Sequence, residues 1–129
     1  MKAALRLFLL FMEDDMNYFY GREAEQFAFY RIPKVLILDQ RFANMKCEAK
    51  LLYGIMLDRM ELSSKNGWLD SANRVFIYYT IESIMEDLGC KHEKAGKLLA
   101  ELEKYGLLKR VRQGMGRPDR IYVCKFTEI

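Results

Sequence analysis

The stretch Thr80-Ile81-Glu82-Ser83-Ile84-Met85-Glu86-Asp87-Leu88-Gly89-Cys90-Lys91-His92-Glu93-Lys94-Ala95-Gly96-Lys97-Leu98-Leu99 decides the fold. Ile81, Ile84, Met85 and Leu88 recur at spacings of three and four, the repeat of an amphipathic helix. Thr80 is an N-cap residue, and Glu82 sets a negative charge in the first turn, where the helix dipole favours it. Gly89 accepts the left-handed geometry that ends such a helix. A second helix is predicted from about Lys91 to Tyr105. Ala95, Leu98, Leu99 and Leu102 face inward, Lys91, Lys94, Lys97 and Glu101 face outward, and Gly106 stops it. Two short helices joined by a tight turn form a helix-turn-helix, whose second helix presents its N-terminal residues to base edges in a major groove.

The flanks complete the pattern. Downstream, Leu107–Gln113 and Arg120–Phe126 read as strands around Gly114-Met115-Gly116-Arg117-Pro118-Asp119, where glycine and proline suit a turn. This hairpin is a wing. Upstream, a helix is predicted from about Lys46 to Leu62, with Ala49, Leu52, Tyr53, Met56 and Met60 in one stripe that Leu51, Ile55 and Leu57 widen. The cluster Ser63-Ser64-Lys65-Asn66-Gly67 ends it. Trp68-Leu69 and Arg74–Tyr79 flank Asp70-Ser71-Ala72-Asn73 as a further hairpin, with Val75–Tyr79 β-branched and aromatic as strands prefer. The fold class is therefore α+β, mainly α: a winged helix-turn-helix with a C-terminal two-stranded wing, placed over residues 46–129.

Two segments precede it. Residues 1–15 carry a short apolar run, Ala3–Met12, interrupted by Arg6 and followed by Glu13-Asp14-Asp15. It lacks a cleavage motif and the length of a membrane span, and reads as an extra helix or as a start-site artefact ahead of Met16. Residues 16–45 read as an N-terminal extension. Phe27 and Phe29 look extended, Pro33 keeps Ile32 out of helix, and a helical turn follows around Lys34–Leu38. Phe19, Phe27, Phe29 and Tyr30 are more aromatic than a surface extension needs, so they either contact a second copy or cover the chain's own core.

Charge points to a polyanion. Residues 91–125 carry a net charge of +6 and the remainder −3, a basic third on a mildly acidic body. On the second helix, Lys91, His92, Glu93, Lys94 and Lys97 form the candidate recognition set. Lysines reach phosphates or guanine, neutral histidine offers a donor and an acceptor, and Glu93 either accepts from cytosine or holds a lysine. Gly96 costs about 1 kcal/mol against alanine inside a helix, so it either allows close approach to DNA or has no role. On the wing, Arg110, Arg112, Gln113, Arg117 and Arg120 are the candidate contacts. Arg110 and Arg112 share one strand face, and a wing arginine suits a narrow minor groove. The rival reading pairs Arg110 or Arg120 with surface acids. Thr80, at its helix start, is a candidate phosphate contact.

Other chemistries lack their residues. Cys47, Cys90 and Cys124 are scattered, which fits a reduced, cytoplasmic, bacterial setting, and the one histidine has no cysteine pair beside it. Neither a nucleophile–base pair nor a carboxylate cluster is visible, and Gly114-Met115-Gly116 lacks the Lys-Ser/Thr of a phosphate loop. No catalytic residue, metal or cofactor is expected.

Three stretches together resemble the RepA_N family of plasmid replication initiators. The first runs from Tyr18-Phe19-Tyr20-Gly21 through Ala24-Glu25-Gln26-Phe27 to Phe29-Tyr30-Arg31-Ile32-Pro33-Lys34. The second is Ala49-Lys50-Leu51-Leu52-Tyr53-Gly54 with Leu57-Asp58-Arg59-Met60 and Lys65-Asn66-Gly67-Trp68. The third is Arg112-Gln113-Gly114-Met115-Gly116-Arg117-Pro118 with Ile121-Tyr122-Val123. The resemblance implies sequence-specific binding of double-stranded DNA, at direct repeats of a replication origin, by a homodimer or a side-by-side assembly. It also implies host replication proteins as partners, engaged through a C-terminal domain that these 129 residues do not contain. Two other roles suit the same fold: a transcriptional regulator of its own operon, and a winged helix used for protein assembly.

Overall fold

A computed structural model describes residues 2–13 and 16–126, without the side chains of residues 8–13; Met1, Asp14, Asp15 and residues 127–129 lie outside the described residues. The elements are α1 (Lys2–Glu13), α2 (Val35–Leu38), α3 (Cys47–Lys65), α4 (Ile81–Leu88), α5 (His92–Lys104), β1 (Leu108–Val111) and β2 (Arg120–Val123), with 3-10 turns at Glu23–Gln26 and Gln40–Phe42. Within residues 1–15, Lys2–Glu13 is helical, as α1. Among the described residues, no helix is long and apolar enough to cross a membrane.

The core gathers where α3, α4 and α5 meet β1 and β2. Leu52, Met56, Ile84, Ala95, Leu98, Leu99, Leu102 and Ile121 are buried there, so the predicted inward faces of α4 and α5 are the packed ones. Leu51 is exposed, which narrows the stripe on α3, and Ser63 is buried because α3 runs three residues past its expected end. Leu36, Phe42 and Met45 also lie in the core. Part of the 16–45 stretch therefore packs as body, whereas residues 16–32 are exposed throughout. That exposed segment touches α3 at Gly54, where an added Cβ would stand 2.9 Å from the Arg31 carbonyl oxygen. Only glycine lets the two backbones come so close.

The wing strands pair antiparallel, Leu108 with Val123 through Val111 with Arg120, and are shorter than the sequence suggests. The 68–79 segment also differs from expectation. Val75–Tyr79 is not a continuous strand; it forms single bridges, Leu69 with Val75 and Ile77 with Ile121. The local partner, Trp68-Leu69, is too short for a ladder, and against the free edge of β2 only Ile77 finds a partner. Ile77 still exchanges both backbone hydrogen bonds with Ile121, at 2.8 and 2.9 Å, and so ties the segment to the wing.

Asp70 fixes the tip of that segment. Its Oδ1 accepts from the Ala72 and Arg74 amides, and its Oδ2 accepts from Arg74 Nε and from the Tyr122 hydroxyl at 2.9 Å. The Arg74 backbone hydrogen bond, aided by Tyr122, the Arg74 side chain and Ala72, holds the Asp70 carboxyl down at about 2. Tyr53 plays the matching part inside: its hydroxyl donates to the Cys124 carbonyl at 2.7 Å, and burial pushes it up to about 12.

Candidate nucleic-acid interface

The helix-turn-helix is built as its local chemistry dictates. Thr80 caps α4 by accepting from the Ser83 amide at 3.1 Å, and its hydroxyl also donates to Ser83 Oγ. The group expected at a phosphate is thus already engaged in capping. Gly89 ends α4 with φ +64°, and Cys90 and Lys91 complete the turn into α5. Behind α4, Tyr79 donates to Asp87 and lies under the Arg59 guanidinium, 4.0 Å from carbon to ring centroid. Burial, then the Asp87 hydrogen bond, pushes the Tyr79 hydroxyl well up.

On α5, Lys91, His92, Glu93, Lys94 and Lys97 are all exposed, as a reading face requires. They are not equally free. Lys97 pairs with Glu93 one turn back at 3.2 Å, the arrangement in which Glu93 holds a lysine. Lys94 pairs with Glu48 in the first turn of α3. That pairing lowers the Glu48 carboxyl and raises the Lys94 ammonium, chiefly through the hydrogen bond between them. Glu101 does not face solvent as expected. Its Oε1 accepts from the Lys46 amide at 3.2 Å, placing a carboxylate at the start of α3. The start of α3 therefore grips α5 twice, through Glu48 and through Lys46. Single-sequence patterning misses these ties because their partners lie 46 and 55 positions apart in the chain.

The wing divides its candidates into two groups. Arg110 donates to Glu103 on α5, so it pairs with an acid. Gln113 donates from Nε2 to the Pro118 carbonyl at 2.9 Å and to the Tyr78 hydroxyl at 3.2 Å, and its Oε1 accepts from Arg120 Nε at 3.1 Å. Arg120 also lies over the Phe76 ring at 4.4 Å. Gln113 and Arg120 thus brace the wing from within. Arg112 and Arg117 are exposed and, among the described residues, neither forms an ion pair or side-chain hydrogen bond. These two, with Lys91 and His92, are the candidates without an ion pair or side-chain hydrogen bond among the described residues.

The extension carries a separate aromatic patch. Phe27 meets Phe19 edge-on at 5.7 Å and Phe29 at 6.4 Å, yet Phe19, Phe27, Phe29 and Tyr30 are all more than half exposed. They do not cover the core. Among the described residues, no group of three or more histidine, cysteine or acidic side chains could hold a metal ion.

Known proteins share this arrangement. One solved structure, the N-terminal domain of a DNA-binding protein, matches with TM-score 0.70 and 37% identity, covering 85% of this chain and 84% of that one. A Rep–DNA complex matches with TM-score 0.70 and 38% identity, covering 84% of each chain. An MDR initiator matches with TM-score 0.69 and 30% identity, over 88% and 89% of the two chains. In sequence, a 41 kDa protein of Lactobacillus helveticus is 31% identical over 103 residues, 75% of this chain. The chain spans only 29% of that relative's length. Residues 28–129 match the family of the replication initiator protein A (RepA) N-terminus, so the winged helix-turn-helix chain belongs to the RepA_N family.

Proposed function

We propose that this chain binds double-stranded DNA sequence-specifically, as the origin-recognition domain of a replication initiator in the bacterial cytoplasm. One observation carries the reading: the match to the protein of a Rep–DNA complex at 38% identity over 84% of this chain. The face supports it. Lys91 and His92 stand at the start of α5, where a recognition helix meets base edges, and Arg112 and Arg117 stand free on the wing. Lys94 and Lys97 reach DNA by exchanging Glu48 and Glu93 for phosphates. The target is a set of direct repeats, and copies assemble on them as a dimer or side by side through the exposed Phe19, Phe27, Phe29 and Tyr30.

The test is fluorescence anisotropy on a duplex carrying direct repeats from the gene's own coding region, against a scrambled duplex, across a salt series. Tight binding to the repeats that weakens with salt and exceeds the scrambled control is the expected result. Equal, weak binding to both would overturn origin recognition. Light scattering that stays monomeric at high concentration, with and without DNA, would remove the assembly role of the aromatic patch.

A further inference from the structure

The tip of the wing holds an apolar side chain that neither packing nor solubility explains. Met115 is 100% exposed, the most exposed of the large apolar side chains among the described residues. It sits at the corner of a tight turn closed by the Arg117 amide donating to the Gly114 carbonyl at 3.3 Å. Gly116 has φ +77°, as the third position of a type II turn requires, and Gly114 has φ +112°. The turn stands on the brace of Gln113, Pro118, Tyr78 and Arg120 described above. A methionine gains free energy wherever its apolar surface leaves water, and this one leaves none of it in the free chain.

Its surroundings define what could receive it. Arg112 and Arg117, whose guanidinium groups have no partner among the described residues, flank the turn, and residues 109–117 contain no acid. An apolar prong between two free cations fits a slot with anionic rims and apolar walls. A duplex minor groove is such a slot, with phosphates along both edges and sugars and base edges within. An apolar side chain pushed there can part a base step and bend the duplex.

We propose that Met115 is a wedge: it enters the minor groove beside the major groove read by α5, partly unstacks one base step, and bends the bound DNA. The proposal rests on the DNA-binding reading above. It also assigns a preference for easily unstacked pyrimidine–purine steps at the wing position, without any hydrogen bond to the bases.

The experiment measures affinity and bend on the same duplex. Anisotropy gives the first, and energy transfer between dyes at the two duplex ends gives the second, for the wild type, Met115→Ala and Met115→Leu. The wild type is expected to bend the site by roughly 20–90°. Met115→Ala should lose most of that bend while affinity falls by no more than about tenfold, since Arg112 and Arg117 remain. Met115→Leu should restore the bend. Unchanged thermal melting would show that the tip variants fold. Wild-type binding without a bend, or a bend that survives in Met115→Ala, overturns the wedge and leaves DNA binding standing. Absence of wild-type binding overturns the DNA-binding reading itself.

Discussion

Helix α5 and the wing both carry candidate DNA-contacting cations but are built on opposite principles. One face of α5 is buried, with Ala95, Leu98, Leu99 and Leu102 at most 2% exposed, and both Lys94 and Lys97 are paired with acids. The wing tip buries little, and its outermost cations, Arg112 and Arg117, have no partner among the described residues. A helix that reads bases needs a fixed position, which core packing and the ties to α3 supply. A wing that grips a polyanion needs charge free to meet phosphates. On the proposed reading, a paired lysine would give up its acid to meet a phosphate, so it would add less attraction than a free arginine.

The largest expected effect is on the seat of the helix. Leu98→Ala should destabilise the chain by about 2–5 kcal/mol in chemical denaturation, because a buried leucine leaves a cavity in a core that cannot close over it. A loss below about 1 kcal/mol would mean that α5 is not held by its buried face.

The wing prediction is electrostatic. Replacing Arg112 and Arg117 together by alanine should flatten the salt dependence of DNA affinity by about two in log–log slope, about 0.9 for each phosphate contact. Arg110→Ala should leave that slope nearly unchanged, because this guanidinium already pairs with Glu103. Equal slope changes for Arg110 and Arg112 would erase the division between brace and grip.

Gly96 sets stability against binding. An added Cβ there meets nothing within 4 Å, so the fold itself does not require the glycine. Gly96→Ala should raise stability by about 0.5–1 kcal/mol. If α5 lies close against DNA at this position, the same variant binds more weakly. Higher stability with unchanged affinity would show that the backbone of α5 stands away from DNA there.

The smallest effect concerns the support behind the wing. Asp70 titrates at about 2 in the folded chain, below its ordinary 3.8. The stabilisation it gives is complete above about pH 4 and disappears as pH falls toward 2. Asp70→Asn should remove that part of the acid dependence of melting while leaving DNA binding near neutral pH intact. An unchanged acid profile would mean that the carboxylate does not hold the turn.

The legible parts were those governed by local rules. The Thr80 cap, the Gly89 stop and the inward faces of α4 and α5 follow from spacing and cap chemistry, because a helix repeats every 3.6 residues wherever it packs. Val75–Tyr79 shows where such rules end: its composition suits a strand, but a strand needs neighbours, and here only single bridges form. Leu36, Phe42 and Met45 lie in a short segment without long periodicity, which reads as extension in sequence, yet they are core.

The sequence by itself determined the helix-turn-helix, the wing and the basic character of residues 91–125. These depend on residues close together in the chain. Only the tertiary structure decided which cations are free. Lys94 meets Glu48, Arg110 meets Glu103, and Arg120 meets Gln113 and Phe76, while Arg112 and Arg117 meet none of the described side chains. Charge and composition are properties of the chain, but the availability of a charge depends on what folding places within a few ångströms of it.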